Sequence, residues 1–73
     1  MKLKDEKYIV TFGKNLRELR KSKNLSQENL ANDANIPINQ VGRVERGEVN
    51  TTITTLRSIA QALNIPTSDL FDF

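Results

Sequence analysis

The tripeptide Asn-Ile-Pro occurs twice, at 35–37 and again at 64–66, each time after a helical stripe of apolar residues. Asparagine tolerates the left-handed backbone conformation that ends helices. The isoleucine after it can fold back onto the helix just completed, and proline is pre-set for the first position of the next helix. Each tripeptide therefore reads as helix stop, tuck and helix start. No segment alternates apolar and polar residues for long enough to predict a strand. The chain is cut into short helices, and its class is all-α.

The stripes define the helices. Ile9, Phe12, Leu16 and Leu19 fall at spacings of three, four and three. That predicts one amphipathic helix, starting between residues 5 and 9 and running to 23, with Gly13 as a weak point. Residues 1–4 are expected to fray, and 1–8 to form an N-terminal segment ahead of a single domain over 9–73. Ser26 is an N-cap for a second helix, with Leu30, Ala31 and Ala34 inward. Asn29 stands where a capping box favours Glu or Gln, so the box reads as incomplete. A third helix is expected over 37–46, closed by Gly47, with Val41 and Val44 inward. A fourth, over 52–63, places Ile53, Leu56, Ile59, Ala60 and Leu63 inward. A short fifth begins near Pro66 and includes Asp69, Leu70 and Phe71. The expected architecture is one compact five-helix domain.

Composition narrows what such a domain does. Its 73 residues contain no cysteine and no histidine, which removes disulfides, thiolate metal sites, the usual general base and the usual zinc ligand. The carboxylates show no convergent arrangement, so neither an enzyme nor a metal or cofactor is expected. No apolar run approaches the ~18 residues of a membrane span. "MKLKDEKYIV" lacks a cleavage site, and a cytoplasmic location without a membrane partner is expected. Eleven basic and nine acidic residues give a net charge of only +2, but the charge is uneven. Lys14, Arg17, Arg20, Lys21 and Lys23 face one acid, Glu18, in residues 14–23, whereas residues 58–73 hold Asp69 and Asp72 and no base. The first stretch suits an anionic partner.

The third helix is the candidate for meeting it. At 3.6 residues per turn Val41, Val44 and Glu45 share one side, and Asn39, Arg43 and Arg46 share the other. Gly42 lies between, leaving the polar stripe without bulk at its middle. A major groove just admits a helix, arginine can bind guanine O6 and N7 with both arms, and asparagine can read adenine. Ile38, Asn39, Gln40, Gly42 and Arg43 are therefore the candidate base-facing residues, with Gly42 allowing close approach. Arg46, Asn50, Thr51 and Thr52 flank the following loop and are candidate phosphate contacts, one of the threonines doubling as an N-cap. Arg17 joins them from the first helix. Glu45 faces inward and needs a partner, because a lone buried carboxylate is too costly.

The spacing of the second and third helices about Asn35 is that of a helix-turn-helix. "LSQENLANDANIPINQVGRVERGE" closely resembles the Cro/lambda-repressor-like, or XRE-type, helix-turn-helix family. Leu25, Ser26, Gln27, Leu30, Ala31, Ala34, Ile36, Val41, Val44, Glu45 and Gly47 carry the match, which extends over about residues 9–72. Asn35 replaces the family's usual turn glycine, Pro37 replaces its usual capping residue, and Ile38 and Gly42 stand where polar residues are common. The resemblance implies a sequence-specific transcriptional regulator: a phage-type repressor, a restriction-modification controller or an autoregulating antitoxin. It implies double-stranded DNA with a near-palindromic operator as partner, and a homodimer. It also implies that Gln27 fixes the second helix on a phosphate and that Arg20 pairs with Glu45. Leu70, Phe71 and Phe73 read as the dimer surface. A protein-interaction module on the same fold is the alternative, kept open by the outward Ile38 and by Phe71 and Phe73.

Overall fold

Four reversals of the chain are built the same way. Asn24, Asn35 and Asn64 have φ of 60°, 58° and 59°, and Gly47 has φ of 73°. In each case the next residue donates its N–H to a carbonyl five residues back. Leu25 reaches Arg20 at 3.2 Å, Ile36 reaches Ala31 at 3.0 Å, Glu48 reaches Arg43 at 2.9 Å and Ile65 reaches Ala60 at 3.0 Å. These bonds satisfy carbonyls that a helix end would leave unpaired.

The computed structural model describes residues 2–73, with side chains from Glu6 onward. Between these stops lie α1 (Lys2–Ser22), α2 (Gln27–Ala34), α3 (Ile38–Glu45) and α4 (Ile53–Leu63), followed by a 3-10 turn over Thr67–Phe71. There is no strand among the described residues. The expected fifth α-helix is thus a single tight turn, as suits a five-residue segment, Thr67–Phe71. α1 begins earlier than its apolar stripe indicates, at Lys2, because "KLKDEKY" contains no helix breaker. Met1 lies outside the described residues. The capping box of α2 is complete after all. Asn29 donates its N–H to Ser26 Oγ at 2.9 Å, and its Oδ1 accepts from the Ser26 N–H at 3.3 Å. A shorter amide side chain does what Glu or Gln does in the usual box.

The core is formed by Phe12 and Leu16 of α1, Leu30, Ala31 and Ala34 of α2, Val41 and Val44 of α3, Ile59, Ala60 and Leu63 of α4, and Leu70. Two apolar residues fall on the other side of expectation. Ile53 is 85% exposed; as the first residue of α4 it shares the angular stripe of Leu56 but lies beyond the edge of the core. Leu70 is fully buried, so it is removed from the expected dimer surface. Asn15 holds it there, donating its amide to the carbonyls of Asp69 at 3.2 Å and Leu70 at 2.8 Å.

Gly13 marks a close approach of α1 to the end of α3. A Cβ there would sit 2.4 Å from the Val44 carbonyl oxygen and 2.5 Å from that of Glu45. α1 crosses the end of α3 backbone to backbone, and the glycine that weakens α1 locally is what lets α3 dock. Gly13→Ala is expected to lower stability by about 1–3 kcal/mol through overpacking, although alanine favours an isolated helix by about 1 kcal/mol. Thermal melting checks this, and a variant that melts at or above wild type would mean that the two backbones are not in contact.

Candidate nucleic-acid interface

α3 is eight residues long, Ile38–Glu45, and begins at Pro37 without a side-chain cap. Val41 and Val44 alone anchor its apolar side, which is little for a helix that must hold an orientation. A polar anchor supplements them. Glu45 is 6% exposed and Arg20 8% exposed. Arg20 donates from Nε to Glu45 Oε2 at 2.6 Å and from Nη2 to Oε1 at 3.1 Å, and its Nη1 donates to the Leu25 carbonyl at 2.8 Å. Gln27 Nε2 donates to Glu45 Oε1 at 3.0 Å. The hydrogen bonding to Glu45 is the main cause of a raised Arg20 pKa, so the guanidinium is held firmly charged. One buried cation and one buried anion, fully bonded, tie α1, α2 and α3 at a single point.

The opposite side of α3 carries Ile38, Asn39 and Arg43, all exposed, with Gln40 half-buried. Arg43 has no hydrogen-bond or ionic partner among the described residues. Gly42 is not on this side. It is buried, and a Cβ there would lie 2.9 Å from Arg46 Nη1 and 3.5 Å from Gln27 Oε1. The expectation that Gly42 faces a base is corrected: its missing side chain makes room for Gln27 and Arg46 to lie across the flank of α3. A helical wheel gives the angle of Gly42 but not the two long side chains that arrive from elsewhere to cover it.

The candidate phosphate contacts divide similarly. Arg17 and Asn50 are exposed. Arg46 is exposed and paired with Glu48, donating from Nε at 2.6 Å and from Nη2 at 3.3 Å. That hydrogen bond raises the Arg46 pKa and holds the Glu48 carboxyl below its usual range. Thr52 caps α4, its Oγ1 accepting from the Thr55 N–H at 3.1 Å and donating to Thr55 Oγ1 at 3.0 Å. Thr51 Oγ1 is buried and unpartnered, which corrects its expected role, since the hydroxyl does not face outward. Phe71 and Phe73 are exposed on one side and stacked on the other. Phe71 packs against Phe12 with ring centres 5.1 Å apart, and Phe73 against Tyr8 at 5.3 Å. Tyr8, which packs on Phe73, and Glu48, which pairs with Arg46, carry no signal of these roles in the sequence. Tyr8 precedes the α1 stripe, and Glu48 looks like ordinary loop charge.

A short α2, a left-handed turn and a short α3 with one pinned and one open side form a helix-turn-helix. The helix-turn-helix family model matches residues 16–70. The chain belongs to the helix-turn-helix family of transcriptional regulators. Among solved members, the restriction-modification controller C.AhdI from Aeromonas hydrophila is 44% identical, with a TM-score of 0.85, over 86% of this chain and 96% of its own. The control protein C.BamHI from Bacillus amyloliquefaciens is 36% identical over 65 residues, 88% of this chain and 80% of its length. The immunity repressor of Bacillus phage phi105 is 34% identical over 59 residues, 81% of this chain but only 41% of that protein. No helix among the described residues is long and apolar enough to cross a membrane.

Breaking the buried pair has a defined expected cost. Arg20→Ala strands the Glu45 carboxylate and is expected to destabilise the fold by about 3–5 kcal/mol, whereas replacing Arg20 and Glu45 together by apolar residues costs much less. Chemical denaturation of the two variants tests this; an Arg20→Ala protein as stable as wild type would remove the pair from the structural account.

Proposed function

We propose that the protein is a sequence-specific regulator of restriction-modification type that binds a near-palindromic operator as a homodimer. The observation that carries this reading is the two-sidedness of α3. Its inner side is fixed by Arg20, Gln27 and Glu45, and its outer side presents Asn39 and an unengaged Arg43. In this reading Asn39 and Arg43 read base edges in the major groove, Ile38 meets a thymine methyl, and Gln40 lies at the margin. Gln27, Arg46, Asn50 and Arg17 hold the backbone on either side. Thr52, whose hydroxyl is engaged in capping, contributes less. Similarity to the restriction-modification controller C.AhdI and to the control protein C.BamHI over most of their lengths favours that role over a phage repressor, of which the chain spans less than half.

Exposed apolar bulk supports self-association. Phe71, Phe73, Tyr8 and Ile53 are all at least 41% exposed. Tyr8 and Phe71 line a shallow apolar groove of about 150 Å³ together with Phe12, Val44, Val49 and Leu56. A two-fold dimer through this region would set the two α3 helices about 34 Å apart, one turn of DNA. The second reading, a protein-interaction module, is favoured by Ile38, which is 51% exposed at the start of the outer side. Salt-sensitive DNA binding separates the two.

Three substitutions test the proposal. Arg43→Ala is expected to cost about 1–3 kcal/mol on the operator and almost nothing on random DNA. Arg46→Ala is expected to weaken all DNA alike and to reduce the salt slope by about one unit. Selection from random duplexes supplies the operator, and titration at several salt concentrations supplies both numbers. Equal loss on both DNAs for Arg43→Ala would make Arg43 a backbone contact. Separately, Phe71→Asp is expected to shift the protein toward monomer in sedimentation at micromolar concentration, and a wild type that is monomeric both free and on DNA would refute the dimer.

A further inference from the structure

The four helix stops are alike in backbone but not in the residue that follows the left-handed position. After Asn24, Asn35 and Asn64 the next residue is Leu25, Ile36 and Ile65, each half-buried against the core. After Gly47 it is Glu48, which is exposed. Its N–H makes the same bond as the other three, to the Arg43 carbonyl at 2.9 Å. The stop therefore fixes where Glu48 stands, but its side chain has no core to join. It turns to Arg46 instead, accepting from Nε at 2.6 Å and Nη2 at 3.3 Å.

Those are the two donors, in the forked arrangement, with which arginine takes a phosphate. The third nitrogen, Nη1, lies over Gly42, so the guanidinium is already seated on the flank of α3. Glu48 also lies in the field of Arg43, which adds to the lowering of its pKa. The side chains of Arg46 and Glu48 are 57% and 49% exposed, and a pair so open to water is weak enough to be exchanged.

We propose that Glu48 is an intramolecular phosphate mimic that occupies the Arg46 guanidinium in the free protein and must be displaced when DNA arrives. This rests on the reading of Arg46 as a backbone contact. The competition concerns a phosphate and not a base, so it lowers affinity for every DNA sequence by the same factor. The protein is thereby held off bulk DNA without any loss of discrimination.

A double-mutant cycle on a random-sequence duplex tests this, with Glu48→Gln, Arg46→Ala and the combined variant, each melted to check folding. Glu48→Gln alone is expected to tighten binding about two- to fivefold, the range an exposed ion pair allows. In the Arg46→Ala background the same change is expected to give a clearly smaller gain, leaving only the removal of a negative charge near DNA. The melting temperatures of Glu48→Gln and wild type should agree. Unchanged or weaker binding by Glu48→Gln would overturn the proposal, as would an equal gain in both backgrounds. Should Arg46→Ala itself leave random-duplex affinity unchanged, the reading of Arg46 as a phosphate contact fails, and the mimic fails with it.

Discussion

The Arg20–Glu45 pair is the constraint around which the interface is organised. α3 has too small an apolar side to be held by burial of Val41 and Val44 alone. Glu45, two charge-assisted bonds from Arg20 and one bond from Gln27 supply the missing rigidity. A buried ion pair adds little net stability over a well-packed apolar substitute. It does impose direction, because a forked guanidinium satisfies a carboxylate in few orientations. The backbone contact at Gly13 supplies the matching steric limit, fixing how near α1 and α3 lie. Distance is set by glycine and rotation by charge.

The two acids at the end of α3 then have opposite characters. Glu45 is enclosed, bonded by two elements besides its own, and has no route to solvent without unfolding the junction. Glu48, three residues on, is paired in water with a single neighbour. The first acid belongs to the permanent frame. The second is open to water and stands beside the outer side of α3.

Much of this was legible in the sequence wherever the deciding contact is local. The stops at Asn35 and Asn64 are written in a few consecutive residues, stop, tuck and proline together. The stop at Asn24 uses the same geometry without a following proline and so carries no such signature. The need of Glu45 for a base follows from its neighbours Val41 and Val44, since periodicity alone turns it inward. Where the deciding contact is distant, the reading failed. Periodicity placed Ile53 and Leu56 on one stripe but could not give the depth of the core at the helix end. Leu70 looked like exposed apolar bulk because Asn15, which holds the turn inward, lies 55 residues away. The cover over Gly42 is not visible to periodicity because it comes from Gln27 on another helix and from Arg46 in the next turn.

The repeated left-handed stop has a kinetic consequence. Each closes through a hydrogen bond spanning five residues, as from Ile36 to Ala31 or from Ile65 to Ala60, so each forms within its own segment and waits for nothing else. Closing so short a loop takes on the order of 10–100 ns or less. Helices as short as the eight-residue α2 and α3 are marginal by themselves in water, so the local stops set the reversals and docking must supply the stability. The slow step in such a chain is the meeting of groups far apart in sequence. Here those are Arg20 and Glu45, 25 residues apart, and, farther still, Asn15 and Leu70, 55 residues apart. The junction at the end of α3 is thus held by contacts that no single segment can form by itself.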